Sequence, residues 1–280
     1  MDMIWLNAAV KGVVEGVTEF LPISSTGHLI LLRDIFPLGD PASPSRKAME
    51  DTFDIVVQLP AVMAIVALYR RRLWAAAAGA ARDSSARKFW FGLLLAFIPS
   101  AVAGLLAHRW IEERLFRPEV IAAALLAGGV VIIAFERWGH AGSGETAEKT
   151  PLPKAVSIGL FQCLALIPGT SRSAATIIGG RAMGLSREAA AEYSFFLALP
   201  TMFAACGYKL FKALRGGEIE WQGAAGPLLI GSLFSFAAAY VVVAGFMHFL
   251  RTRTLAAFGW YRIALGSLVL AMWLAGWFRQ

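Results

Sequence analysis

The chain has 280 residues, of which 58% are hydrophobic and only 16% charged, with a net charge of +7. Soluble domains carry roughly a quarter charged residues, so this composition, at a mean hydropathy of +0.61, excludes a soluble globular protein and predicts an all-α polytopic membrane protein built as one integral domain. The basic residues are dispersed among the loops, which excludes a nucleic-acid partner and suits the bilayer's anionic headgroups or an anionic substrate.

The first apolar run follows Met-Asp, holds two glutamates and lacks a small-x-small site, so it is read as retained and not as a cleaved signal. Residues 7–21 predict one apolar helix, interrupted at Pro22, and a second short helix starts after Ser24 or Ser25 and runs to Leu32. Each piece is about 15 residues or fewer, short of the ~20 that cross the hydrocarbon core. A helix–break–helix that dips in and returns is the expected form. A polar loop, 33–51, precedes an apolar run, 53–69, that ends at Arg70-Arg71-Arg72. Then come a basic, Ala-rich loop to Lys88, an uncharged run 89–107, a mixed-charge loop to Glu119 and the run 120–135. Cys163 and Cys206 each sit alone in apolar runs and read as small buried hydrophobes, with no disulfide or metal pair.

The segment from Glu136 to Lys154 is the clearest break in composition, and beyond it the pattern begins again. Gly159-Leu-Phe-Gln162 repeats Gly12-Val-Val-Glu15, and twelve residues after each glycine comes Ser171 or Ser24. Pro168 precedes Ser171 as Pro22 precedes Ser24, and Tyr193 to Pro200 mirrors Phe53 to Pro60. Two apolar runs, 224–250 and 263–278, follow. The expected organisation is repeat 1 over about 1–138, a linker over 139–154 and repeat 2 over about 155–280. Each repeat holds a re-entrant helix pair and three transmembrane helices, six full spans in total. Three is odd, so the second repeat enters from the opposite side, an inverted-topology arrangement whose broken helices meet near the midplane. The loops at 70–88, 136–154, 181–192 and 251–253 then share one side and carry 13 Lys and Arg against 10 on the other. The positive-inside rule makes the first set cytoplasmic, so the Ser24–His28 break opens outward and the Ser171 break inward.

Within this frame the polar residues stand out. Glu15 and Glu19 are one helical turn apart and fall on one face. They suit a divalent cation, or a general base and its positioning partner; the plainer alternative is two hydrogen-bonded structural acids. Ionisable groups within an apolar run favour the functional reading. Ser24, Ser25, Thr26 and Gly27 offer hydroxyls and free amides at a helix start, where phosphate is favoured, although a simple N-cap would use the same residues. His28, near the face of Ser25, is a candidate to move a proton or to carry a phosphoryl group. In the second break, Gly169, Thr170, Ser171, Ser173 and Thr176 surround Arg172, the only fixed cation between Lys154 and Arg181. A guanidinium suits phosphate oxygens, and a resting ion pair with Glu15 or Glu19 is the plainer reading. Asp54 is read as interfacial. The junction of the breaks is therefore expected to bind an anionic, phosphate-bearing ligand, and the surrounding lipid points to a lipid-linked diphosphate.

The stretches Glu15-Gly-Val-Thr-Glu19-Phe-Leu-Pro-Ile-Ser-Ser-Thr-Gly-His28 and Pro168-Gly-Thr-Ser-Arg172-Ser-Ala-Ala-Thr176 resemble the two signature motifs of the undecaprenyl-diphosphate phosphatase family of the bacitracin-resistance type. The resemblance covers essentially the whole chain, with no departure at a motif position. It implies a multi-pass enzyme of the bacterial cytoplasmic (inner) membrane that hydrolyses undecaprenyl diphosphate to the monophosphate and inorganic phosphate. That reaction recycles the lipid carrier for peptidoglycan and confers bacitracin resistance. It also implies dependence on a divalent cation, Mg or Ca, held by Glu15 and Glu19. The functional positions carried over are Glu15, Glu19, Ser25, His28 and Arg172, with Ser25 as the expected nucleophile and His28 or water as its rivals. Ser24, Thr26, Gly27, Gly169, Thr170, Ser171, Ser173 and Thr176 are expected around the substrate. A polyprenyl-phosphate flippase using the same site is the competing reading. Gly12-xxx-Gly16 would permit close helix packing within or between chains, the latter as a homodimer.

Overall fold

The computed structural model describes residues 2–39, 45–139, 142, 145–216 and 221–278, and among them it is helical throughout, with no strand. Helix α1 (Asp2–Thr18) and α2 (Ser25–Ile35) flank the first break. They are followed by α3 (Ser45–Val56), α4 (Gln58–Leu68) and α5 (Arg70–Gly79). Two long helices, α6 (Ser84–Arg114) and α7 (Pro118–Trp138), complete the first half. Asp83 caps α6 by accepting from the Ser85 amide at 2.8 Å, and Pro118 opens α7 at the position where its missing N–H costs nothing. The second half comprises α8 (Leu152–Gln162), α9 (Arg172–Ala182), α10 (Arg187–Gly216), α11 (Trp221–Thr252) and α12 (Ala256–Leu274).

Among the described residues six helical stretches are long and apolar enough to cross a membrane: Ala48–Leu68, Ser84–Arg114, Pro118–Trp138, Arg187–Lys212, Ala224–Thr252 and Ala256–Leu274. The pairs α1/α2 and α8/α9 are the short broken elements foreseen from Pro22 and Pro168. Helices extend further into the polar segments than composition predicts. Residues 45–51, expected in a loop, open α3 because Glu50 is buried there against Lys11 and accepts the Leu38 amide at 2.9 Å. Residues 70–79 form α5, favoured by their alanines, and α6 takes up most of the expected mixed-charge loop.

The broken helices pack against the long ones through small residues. A Cβ on Gly12 would lie 2.2 Å from the Gly231 carbonyl oxygen, and one on Gly16 would lie 2.3 Å from that of Ser235. Backbone contact this close is what small-residue spacings permit in membranes. Gly12 and Gly16 therefore seat α1 on α11 within the chain, and are not free to meet a second copy. On the matching element, Gly159 of α8 meets the Ala96 carbonyl of α6 at 2.2 Å in the same sense.

The polar loops gather at two ends. At one, Arg72 pairs with Glu148 and, at 2.7 Å, with Glu192, while Arg187 holds Glu136 at 2.6 Å. The Glu192 and Glu148 carboxylates hold the Arg72 guanidinium above its usual range. These pairs join residues of the segments 70–88, 136–154 and 181–192, which the span count assigns to one side. At the other end Arg33 bridges Asp51 and Asp54 at 2.8 and 2.6 Å, and His108 stacks edge-on against Tyr208.

Candidate active site where the two helix breaks meet

The two breaks repeat one local geometry. Ser24 and Ser171 have φ of 71° and 72°, the only non-glycine residues in the left-handed region among those described. Each precedes a helix and caps it: Ser24 Oγ accepts from the Gly27 amide at 3.4 Å, and Ser171 Oγ accepts from the Ala174 amide at 3.2 Å. A serine tolerates this strained conformation when its side chain satisfies an otherwise orphaned amide. The turn brings the following residue, Ser25 or Arg172, to the mouth of the break.

Ser25 and Arg172 converge on one carboxylate. Ser25 Oγ donates to Glu19 Oε2 at 2.7 Å, and Arg172 Nη2 donates to Glu19 Oε1 at 3.2 Å. The Glu19 and Arg172 side chains are only 10% and 11% exposed, so the pair is shielded but reachable. Arg172 is held from behind: Nη1 donates to the Ser194 carbonyl at 3.0 Å, and the guanidinium lies over the Phe20 ring at 5.6 Å. Its Nε is buried with no partner. Below this triad lies Glu15, fully buried, with neither carboxylate oxygen hydrogen-bonded. Buried polar atoms are nearly always satisfied, so these two oxygens beside Glu19 suit a proton or a cation. Among the described residues no three His, Cys, Asp or Glu side chains group to hold a metal by themselves.

The other predicted residues build the frame. Ser173 Oγ donates to the Leu21 carbonyl at 2.7 Å and so bonds one break to the other; the Ser171 hydroxyl then donates to Ser173 at 2.9 Å. Thr176 donates to the Arg172 carbonyl at 2.8 Å and pairs with Ser194 at 2.6 Å. Gly169 has φ 91°, and a Cβ there would lie 2.6 Å from the Ile121 carbonyl. Gly27 packs on Leu125, and Thr26 is half-buried beside it. His28 is turned elsewhere. Its Nδ1 faces the Ser24 carbonyl at 2.7 Å, which only accepts, so Nδ1 carries the proton; Nε2 pairs with the Tyr261 hydroxyl at 2.7 Å. The two rings stack at 5.6 Å and line an apolar cavity of about 490 Å³ with Val14, Leu21 and Phe258. The carboxylate in contact with Ser25 is Glu19, and His28 touches the site through the Ser24 carbonyl.

Ser194 and Arg262, which the sequence reading passed over, and Asp54 also bear on the site. Ser194 orients both Arg172 and Thr176. Asp54, read as interfacial, has a side chain 16% exposed and ion-paired to Arg33, with its Oδ1 buried and unpartnered. Arg262 is completely buried in α12, and its terminal nitrogens donate to the carbonyls of Pro22, Ala124, Gly169 and Thr170. A lone arginine in an apolar span was a legible signal, but its partners lie far away in sequence.

Fold and cluster together define a polytopic helical membrane protein with a shielded acid–serine–arginine centre built across two broken helices. The chain belongs to the bacitracin resistance protein BacA family, whose model matches residues 8–268. It is 45% identical over 273 residues to undecaprenyl-diphosphatase 1 of Chromobacterium violaceum, covering 96% of this chain and 97% of that one. Undecaprenyl-diphosphatase of Paracoccus denitrificans is 44% identical over 278 residues, 99% and 100% of the two chains. Undecaprenyl-diphosphatase 2 of Rhodospirillum rubrum is 45% identical over 274 residues, 97% and 96% of the two.

Proposed function

We propose that this protein hydrolyses undecaprenyl diphosphate to undecaprenyl phosphate and inorganic phosphate in the bacterial inner membrane. The contact of Ser25, Glu19 and Arg172 carries this reading, and the names of the relatives favour it over transport of the intact lipid. The terminal phosphate enters between the breaks and replaces Glu19 as the partner of Arg172. Ser25 Oγ attacks the terminal phosphorus as Glu19 takes its proton; the 2.7 Å contact suits general-base transfer. The Oγ–P bond forms, the anhydride P–O bond breaks, and undecaprenyl phosphate leaves. Water then attacks the phosphoserine, releasing phosphate, and the proton returns from Glu19 to Ser25 Oγ. Arg172 and the amides at the starts of α2 and α9 stabilise the equatorial oxygens, the main source of acceleration in phosphoryl transfer.

Glu15 and Glu19 are the residues that would hold a divalent cation, Mg or Ca, and the bare oxygens of Glu15 suit a hard ion completed by phosphate oxygens. When bound, that ion would neutralise part of the diphosphate charge. The paired breaks support two inverted repeats, about 1–138 and 155–280, joined by 139–154, with the site at their junction and the Arg72 end cytoplasmic.

The test is phosphate release from a polyprenyl diphosphate by purified protein in detergent, with and without chelator. Glu19→Ala and Arg172→Ala are expected to lower kcat on the order of 10²-fold or more, and chelator is expected to suppress the wild type. Full release by either variant would sink the assignment.

A further inference from the structure

The buried arginine of α12 has a position that packing alone does not account for. Arg262 is completely buried, and among the described residues no carboxylate forms an ion pair with it. A guanidinium taken out of water without a counter-charge is expensive, and is retained where something depends on it. Its ligands are four main-chain oxygens. Nη1 donates to Thr170 at 2.9 Å and to Pro22 at 3.3 Å; Nη2 donates to Gly169 at 3.0 Å and to Ala124 at 3.0 Å. Three of these carbonyls belong to the breaks themselves, where the chain has left the helix and its oxygens have no intrahelical donor. Pro22 stands two residues before Ser24, and Gly169 two before Ser171. One planar fork therefore grips both breaks at equivalent places. The space is cut to fit: a Cβ on Gly128 of α7 would lie 2.2 Å from Arg262 Nη2.

We infer that Arg262 is a positioning residue for phosphoryl transfer, a clamp that fixes the Ser25 break against the Arg172 break so that nucleophile and phosphate-binding arginine face one phosphorus. It touches no reacting atom. The inference rests on the proposed hydrolysis, because only a reaction shared between the breaks needs their registry held. Ser173 still donates to the Leu21 carbonyl and Arg172 still holds Glu19 and lies over Phe20, so removal of Arg262 leaves the breaks joined but loosely aligned. Loss of alignment penalises the transition state more than ground-state binding, and a displacement of about 1 Å can cost on the order of 10²-fold.

The experiment measures kcat and KM for phosphate release from a polyprenyl diphosphate in detergent, together with thermal stability. The variants are Arg262→Met, Arg262→Lys and Gly128→Ala, with Leu268→Ala, an exposed residue on the same helix, as control. Arg262→Met is expected to lose kcat on the order of 10²-fold with KM within about threefold. Lysine, a single ammonium in place of the fork, should recover part of that loss. Gly128→Ala keeps the arginine but displaces it, and should fall in the same direction by about tenfold. Unchanged kcat in folded Arg262→Met or in Gly128→Ala overturns the inference. So does a fall in kcat that only tracks lost folded protein, or failure of all three variants to fold, since either leaves a purely structural arginine. Absence of release by the wild type overturns the functional reading itself, and this inference with it; an active wild type with indifferent variants overturns the clamp alone.

Discussion

Ser25 and His28 lie three residues apart and belong to different environments. Ser25 is bonded to Glu19, whereas His28 lies between the Ser24 carbonyl and Tyr261. The two should therefore respond differently to substitution. Ser25→Ala is expected to remove measurable phosphate release, while His28→Gln, whose amide can still donate to the Ser24 carbonyl, should keep kcat within about tenfold of wild type. Steady-state rates on matched detergent preparations decide it, and equal losses would return His28 to the chemistry. Sequence spacing places both residues on one short helix but says nothing of what approaches it. Tyr261 is 233 residues away, and only tertiary packing determines which side of α2 the imidazole meets. Glu19 and Arg172 were legible because charge in an apolar run has so few explanations; which of the two glutamates Arg172 would choose was not.

At the scale of elements, the breaks are the most legible part of the fold. Pro22 and Pro168 keep the backbone from resuming a helix too early by removing a donor and crowding the preceding turn, and Ser24 and Ser171 restart the helices as caps. Both effects are local, so the pattern survives in sequence. The helical character of residues 45–51 was not visible, because those polar residues depend on Lys11, on another helix, to bury Glu50. The caps also make a testable pair of demands at one residue: a side-chain acceptor and a positive φ. Ser171→Ala loses the first and keeps the strain, and should cost about 1 kcal/mol. Ser171→Gly loses the same bond but relieves the backbone, and should lie nearer wild type. Thermal unfolding of the two variants gives the order, and an alanine variant as stable as wild type would remove the cap from the account.

For the whole molecule, the ion pairs of Arg72 with Glu148 and Glu192 gather on one face the loops that the span count assigns to one side. Trp74, 77% exposed beside them, and Phe116, 52% exposed between α6 and α7, should then lie across the membrane from each other. In right-side-out vesicles an impermeant maleimide is expected to label Phe116→Cys at once and Trp74→Cys only after lysis; the reverse order would invert the topology. The Arg262 clamp has a consequence for how the enzyme comes into being. Every residue placed in the chemistry precedes position 177, yet the arginine that grips the breaks lies on the last helix. During synthesis, the nascent chain carries its complete set of reactive groups through the insertion machinery long before they are aligned. Full activity would then begin only when α12 has entered the bilayer, so that a product lacking that helix is at most weakly active towards the cell's lipid pool.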